Sequence, residues 1–475
     1  MDVRPRLLQS FNHIFTKMGR FVFIALLLAF IVVGTTNVFL RRQAVRAEAG
    51  DWPTFLGNAG HTSFNAAETV INPTTAPNLK LLWTHQASGS ISTQPIVANG
   101  MLYWGSYDGL EHASSLSDGN DIWTTNLGQS VDCRRQTHGV LSTAAVASAL
   151  IGGVITTAVF VGGGDANLYA LDANTGAIIW QTALGTPPNT FLYSSPTVFN
   201  GSVYIGVSAH ADCSKIQGHI VQVDASTGAI RHTFYVVPTG CVGGSVWSSP
   251  TIDENTGIVY VSSSERGLCN KNEKMMESLI ALNAPDLSLI GFWQVPATQM
   301  INDGDFGSSP TLFTATISGT ARMMVGLTNK NGIYYAFDRT NISAGPLWEV
   351  RLAITPGPSS ASSAWDGTTL YVAAGTTTVN GASCAGSLSA LNPATGASLW
   401  QDCLNYDARS SVTVVPGLAE VAVGTSMIVV DTTTGNQLFS FQDTSRKSNF
   451  LGPGCISDGV LYQSNMDGKM YAFAP

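Results

Sequence analysis

The chain has 475 residues, 44% hydrophobic and 11% charged, with 48 Gly, 20 Pro and 10 Trp, whereas an average soluble protein is about 25% charged. That balance excludes a disordered chain, a coiled coil and a basic nucleic-acid binder. The formal net charge is −8, and seven of the 23 basic but only two of the 31 acidic residues fall in positions 1–49, so the remainder is more acidic than the whole. Such a body repels phosphate backbones and anionic lipid, so no nucleic-acid partner is expected and the membrane is met only through the N-terminal segment.

Residues 1–20 form a basic segment carrying Arg4, Arg6, Lys17 and Arg20, and residues 21–40 read FVFIALLLAFIVVGTTNVFL. Twenty apolar residues suffice for one helix across a bilayer, and the basic flank favours a cytoplasmic N-terminus. Residues 41–50 are a linker holding Arg41, Arg42 and Arg46 and an Ala47-Glu48-Ala49 cleavage pattern. Two outcomes stay open: an uncleaved transmembrane anchor, or a signal cleaved near Ala49 and a secreted body. In both, residues 51–475 work outside the cytoplasm. Seven cysteines (133, 213, 241, 269, 384, 403 and 455) then allow at most three disulfides and leave at least one thiol over. No Cys-x-x-Cys is present, so neither c-type haem attachment nor a cysteine zinc site is expected.

From residue 51 the chain repeats itself. LYALDANTGAIIW (168–180), LSALNPATGASLW (388–400) and MIVVDTTTGNQLF (427–439) each read as strand, tight turn and strand, with Asp or Asn opening the turn, Gly supplying positive φ and an aromatic starting the next strand. Weaker copies end at Trp123, His232, Trp293 and Trp348, and the marks are spaced 57, 52, 61, 55, 52 and 39 residues apart, which suits four-stranded antiparallel blades. Between marks a Ser/Pro-rich strand start recurs, as in SSPTVFNGSVYIGVS (194–208) and SSPTIDENTGIVYVSS (248–263). The last copy stops three strands in, and LKLLWTH (79–85) offers the missing outer strand. The expected fold is therefore an all-β, eight-bladed propeller over 51–475, closed by pairing an N-terminal strand with the C-terminal blade and preceded by one helix at 21–40. The repeat tryptophans are expected to wedge between neighbouring blades.

The A-x-D-x-x-T-G-x-x-x-W signature, with the opening DWPTFLGNAGHTSFN, resembles the pyrroloquinoline-quinone (PQQ) repeat propellers over about 51–475. VWSSPTID (246–253) followed by DGDFGSSPTLF (303–313) is most similar to the polyvinyl-alcohol dehydrogenase branch of the quinoprotein alcohol dehydrogenases. The resemblance implies roles at particular positions. Trp247 matches the tryptophan beneath the quinone, Asp305 the catalytic aspartate, and Lys330 the basic residue that hydrogen-bonds the quinone carbonyl. Three positions depart from the pattern: Glu265 stands where the family has a calcium-binding Asn, Cys213 with Asp212 beside it stands about where a calcium-binding Glu belongs, and Asp132-Cys133 replaces an adjacent cysteine pair.

In a propeller, loops leading into inner strands and loops joining second to third strands emerge on one face. Trp247 and Asp305 fall in the first kind, and Asp212, Glu265 and Lys330 in the second, so one rim is expected to gather Ca²⁺-type oxygen ligands from Asp212, Glu265 and Asp305. Two functions follow. One is a PQQ- and Ca-dependent dehydrogenase oxidising a small-molecule or polymeric alcohol, with Asp305 as base, Lys330 stabilising the oxyanion and an external electron acceptor. The other is a non-catalytic binding or assembly scaffold for a protein partner at the outer face of the membrane. Cys213–Cys241, in same-face loops, and Cys384–Cys403, spanning one signature hairpin and its exit, are the expected disulfides.

Overall fold

The computed structural model describes residues 50–210, 216–265, 273–354, 360–444 and 449–475. The expected helix at 21–40 lies outside them, as do Asp212 and Cys213. Among the described residues no helix is long and apolar enough to cross a membrane.

The repeats fold as read. Eight four-stranded antiparallel sheets form among the described residues, with two small two-stranded ribbons beside them. We number the blades in chain order from the sheet that begins at Ile96–Ala98. Blade three holds Thr197–Phe199, Ser202–Val207, His219–Asp224 and Ile230–Tyr235. Blade four holds Thr251–Asp253, Ile258–Ser262, Ser278–Asn283 and Leu289–Gln294. Blade five holds Thr311–Ile317, Thr320–Thr328, Ile333–Asp338 and Trp348–Arg351. In blade eight, Cys455–Ser457, Val460–Ser464 and Lys469–Ala474 are completed by Lys80–Gln86, which pairs antiparallel from Lys80↔Ala474 to Gln86↔Lys469. The ring is thus closed by non-covalent pairing of distant chain segments.

The signature turn supplies both halves of a docking joint. Asp172 Oδ1 accepts the N–H groups of Asn174 and Thr175 at 3.0 Å, and Gly176 takes φ +72°. A Cβ on Gly176 would stand 2.6 Å from the Trp123 ring of the preceding blade, so the position needs glycine for space as well as for conformation. Trp123 Nε1–H in turn donates to Ala173 O at 3.0 Å. The joint recurs at Trp83 with Leu116 O, Trp180 with Ala225 O, Trp348 with Pro393 O and Trp400 with Thr432 O. Where blade three carries His232 in place of the aromatic, the next turn reads Ala284-Pro285-Asp286-Leu287 and has no glycine. The two halves are absent together.

A hydroxyl girdle ties the inner strands. Starting at Gln94, the backbone N–H of each blade donates to the Thr143, Ser195, Ser249, Ser309, Ser362 and Ser411 hydroxyls in turn, at 2.8–3.0 Å. Pro453 holds the equivalent place in blade eight and has neither N–H nor hydroxyl. Gln94 spans the gap, its Nε2–H donating to Gly454 O at 2.7 Å.

The opening motif has a role that the repeat pattern did not show. Residues 51–65 cross the inner strands and meet six of them at their second residue. Main-chain bonds join Trp52 to Val97, Pro53 to Val146, Ala59 to Ile252, Gly60 to Leu312, Thr62 to Trp365 and Ser63 to Val414, touching blades one, two, four, five, six and seven. His61 lies within this plug, fully buried, with Nδ1 2.8 Å from Thr251 Oγ1. Desolvation drives its pKa from 6.5 down to about 3, a shift only partly opposed by a hydrogen bond to the Pro310 backbone.

Cys384 and Cys403 form the expected disulfide, with Cα atoms 5.4 Å apart, and it ties the Ala382–Cys384 side strand to the outer strand of blade six. Cys133 and Cys241 each take part in a disulfide as well. The expected Cys213–Cys241 pair includes a residue outside those described. Cys455 is a buried free thiol.

Candidate functional site

Four predicted residues come together on the rim of blades four and five. Trp247 precedes the inner strand of blade four, and Glu265 follows its second strand. Asp305 precedes the inner strand of blade five, and Lys330 sits in the tight turn between its second and third strands. That turn is local chemistry: Asn329 Oδ1 accepts the Asn331 N–H at 2.8 Å, Asn329 Nδ2–H donates to Gly304 O at 2.6 Å, and Gly332 has φ +82°. The Lys330 N–H also donates to Asp305 O at 3.0 Å, so the two loops are fixed together through their main chains.

The Asp305 carboxylate is held in two directions. Its Oδ1 accepts the Glu265 backbone N–H at 2.6 Å, and its Oδ2 accepts Lys330 Nζ at 3.0 Å. Lys330 Nζ also donates to Asp303 Oδ1 at 2.6 Å and lies 5.5 Å from the centroid of the Trp247 ring, within cation–π range. Only 12% of the Asp305 side chain and 16% of the Lys330 side chain remain exposed, so their attraction is weakly screened. Burial works against the Lys330 ammonium, but the charge of Asp305, with hydrogen bonds to Asp303 and Asp305, outweighs it and holds the pKa above its ordinary value. Lys330 is cationic at every physiological pH.

Glu265 closes the loop from the other side, its Oε2 accepting the Asp303 N–H at 3.0 Å. Trp247 is located by Gly307: a Cβ there would come within 2.4 Å of Trp247 Cη2, so only glycine lets the indole lie against this strand. Behind the loop, the buried Glu277 carboxylate approaches Gly304, where a Cβ would be 2.9 Å from Oε2. Asp303, Gly307 and Glu277 were not singled out from the sequence. The Asp303-Gly304-Asp305 spacing was the available signal for the first, since residues two apart flank a single glycine.

The donor set is all oxygen and predominantly anionic, with Glu265, Asp303 and Asp305 set against the single Lys330 charge. That composition suits a hard divalent cation such as Ca²⁺. The partly exposed Trp247 face and the Lys330 ammonium suit a flat, electron-poor, anionic ring system. The residues present therefore suit a quinone and a hard cation by their chemistry, while the ligand oxygens of Glu265, Asp303 and Asp305 do not all lie within 4.8 Å of one another.

The fold and this rim define a propeller that brings a carboxylate, a lysine and a tryptophan together in the loops of blades four and five. The chain belongs to the family described as glucose/ethanol/alcohol dehydrogenase, beta-propeller domain, which residues 52–362 match. Residues 329–475 also match the family described as outer membrane protein assembly factor BamB. Polyvinylalcohol dehydrogenase from Sphingopyxis sp. (strain 113P3) is 28% identical over 322 residues, covering 58% of this chain and 47% of the relative. Quinohemoprotein alcohol dehydrogenase from Comamonas testosteroni is 26% identical over 343 residues, covering 64% of this chain and 46% of the relative. The chain thus spans about half the length of the curated relatives it matches. A solved quinohemoprotein alcohol dehydrogenase from Pseudomonas putida HK5 superposes with TM-score 0.73 at 16% identity, over 90% of this chain and 80% of that one, a likeness of fold.

Proposed function

We propose that this propeller is an extracytoplasmic PQQ- and Ca²⁺-dependent dehydrogenase that oxidises an alcohol and passes electrons to a separate acceptor. The observation that carries the proposal is the Asp305 carboxylate, fixed between the Glu265 N–H and the Lys330 ammonium beside the Trp247 ring. Family membership and the named alcohol dehydrogenase relatives support it.

Glu265 and Asp305 would hold the metal ion, and Trp247 would form the floor beneath the ring. PQQ, when bound, supplies the two-electron acceptor that the side chains themselves lack. Asp305 is the general base. Its two fixed hydrogen bonds aim the carboxylate, and the unused lone pairs remain free to take a hydroxyl proton. Lys330, kept charged by its two aspartates, stabilises negative charge developing on an oxygen next to it. Because both loops are locked through main-chain bonds, little reorganisation is needed at the moment of reaction.

Adding PQQ and Ca²⁺ to the purified protein, desalting, and assaying dye-linked oxidation of primary, secondary and polymeric alcohols tests this reading. Quinone absorbance that survives desalting, with alcohol-dependent dye reduction, is the expected result. Failure to retain the quinone favours the second reading, a scaffold propeller that docks a protein partner, for which the match of residues 329–475 to the assembly-factor family is the specific support.

A further inference from the structure

A second constellation lies on the same rim, around blades one to three, and the quinone chemistry above does not use it. Asp132 and His138 stand in the loop that leads from blade one into blade two, flanking a short ribbon of Ser130–Val131 and Thr137–His138. His210 follows the second strand of blade three. One atom, Asp132 Oδ2, faces both imidazoles, 3.1 Å from His138 Nε2 and 2.9 Å from His210 Nε2. The three ligand-type atoms all lie within 4.8 Å of one another. A tetrahedral ion with bonds of about 2.0–2.1 Å separates its ligand atoms by roughly 3.3 Å, so the two contacts to Oδ2 stand near the spacing that such an ion imposes.

Two of the three ligands, Asp132 and His210, are oriented from behind as ligands in metal sites are. Asp132 Oδ1 is occupied by the backbone N–H groups of Arg134 and Gln136, both at 2.8 Å, which leaves Oδ2 as the oxygen turned to the histidines. His210 Nδ1 is hydrogen-bonded to Tyr193 Oη, an outer-shell contact that leaves Nε2 available to an ion when Nδ1–H is the donor. Side-chain exposure is 0% for Asp132, 7% for His138 and 14% for His210. Phe191 packs on both rings, 5.7 Å from His138 and 5.2 Å from His210, and Tyr107 lies 5.5 Å from His138. His138 Nδ1 is buried without a hydrogen-bond partner, which makes its burial costly. The residual exposure of His210 leaves one side open for a further ligand.

We infer that Asp132, His138 and His210 bind a first-row divalent transition metal ion, of which Zn²⁺ is the type, in an open three-ligand site separate from the oxygen-lined Ca²⁺-type site of blades four and five. Two imidazoles and one carboxylate select borderline ions over Ca²⁺ or Mg²⁺, which take oxygen ligands. The two loops are linked through Ser245. Ser245 Oγ accepts the Ala209 N–H at 3.2 Å, Ser245 O accepts the Ser264 N–H at 2.9 Å, and His210 and Glu265 are the next residues of those two loops. The other histidine–carboxylate cluster, His85, His112 and Asp121, is a different object. His112 stacks flat on Trp104 at 3.7 Å, its Nδ1 is 3.2 Å from both Asp121 oxygens, and His85 Nε2 is 3.8 Å from Asp121. Its donors are taken up in the seam between blades eight and one.

Co²⁺ titration of the chelator-stripped, PQQ-free protein tests the inference with a spectroscopic readout that needs no activity. The expected result is visible absorbance of a four- or five-coordinate ion saturating at one per chain, displaced by Zn²⁺ and not by Ca²⁺. D132N, H138Q and H210N should each abolish it. Y193F, which leaves all three ligands in place, should weaken Zn²⁺ affinity by about 10- to 100-fold. D305N, which disables the proposed quinone chemistry, should bind Co²⁺ as the parent does, so failure of one reading is distinguishable from failure of the other. Circular dichroism of each metal-free variant separates loss of a ligand from loss of fold. No absorbance at stoichiometric Co²⁺ overturns the inference. So does a signal that persists in well-folded D132N and H210N, or one that disappears in D121N instead.

Discussion

The rim loops and the inner strands that residues 51–65 cross belong to the same repeats and differ sharply in their electrostatics. At the rim, the Lys330 ammonium is paired with Asp303 and Asp305, and Glu265 adds a further carboxylate that accepts the Asp303 N–H, so the two loops carry a partly exposed anionic excess. Where residues 51–65 plug the strands with main-chain bonds, the His61 imidazole is fully buried and held neutral. The difference shows how a ring of near-identical blades acquires polarity. Loops that no other segment covers can hold ions and ligands, while a covered region must lose its charge or leave it unpaired in a low dielectric.

The rim side breaks most sharply at Asp305. D305A should lower dye-linked alcohol oxidation by about 10²- to 10⁴-fold, because it removes the proposed base, with no loss of β-sheet circular dichroism. Retained activity would remove the carboxylate from the reaction. At the plug the expected loss is of stability. A histidine whose folded pKa is depressed leaves the folded state unprotonated while the unfolded chain takes up a proton below 6.5, so stability should fall as pH drops from about 6.5 toward 3. The full loss is on the order of 5 kcal/mol in urea titrations, and H61Q should flatten it. A flat profile in the parent protein would mean that His61 meets solvent.

Glu420 provides the opposite sign in the second strand of blade seven. Burial raises its pKa from 4.5 to about 8, against a smaller opposing contribution from a Gly454 backbone hydrogen bond. A raised carboxyl stabilises the fold fully below 4.5 and progressively less as pH rises through about 8, so E420Q should be more stable than the parent at pH 8 and equal to it near pH 4. Thermal denaturation at those two pH values decides the matter. The smallest effect is expected at Trp247. W247A removes a stacking face of about 0.5–1.5 kcal/mol, so PQQ retention should weaken by roughly 3- to 10-fold while chemistry at saturating cofactor persists. A change in turnover with unaltered PQQ affinity would assign the indole to the substrate instead.

Much of this architecture was legible because its signals are short-range. Alternating apolar residues, an Asp-opened turn and a glycine with positive φ define each hairpin within a dozen residues. The truncated last copy then required Lys80–Gln86 to complete blade eight. The Cys384–Cys403 bridge follows from one hairpin and its exit. The rim was legible in part, since strand order alone sends Trp247, Glu265, Asp305 and Lys330 to one face.

What the tertiary structure decided is contact between loops distant in sequence. Glu265 and Asp305 are 40 positions apart, and their bond uses a main-chain N–H that leaves no mark on residue type. The plug is unreadable for the same reason, since residues 51–65 reach their blades through backbone groups that every sequence possesses. His138 and His210 looked like scattered histidines until ring closure set blade three beside the loop after blade one. Period and turn chemistry are encoded locally by residue type and fix the blades, whereas the partners of a buried side chain depend on how those blades close.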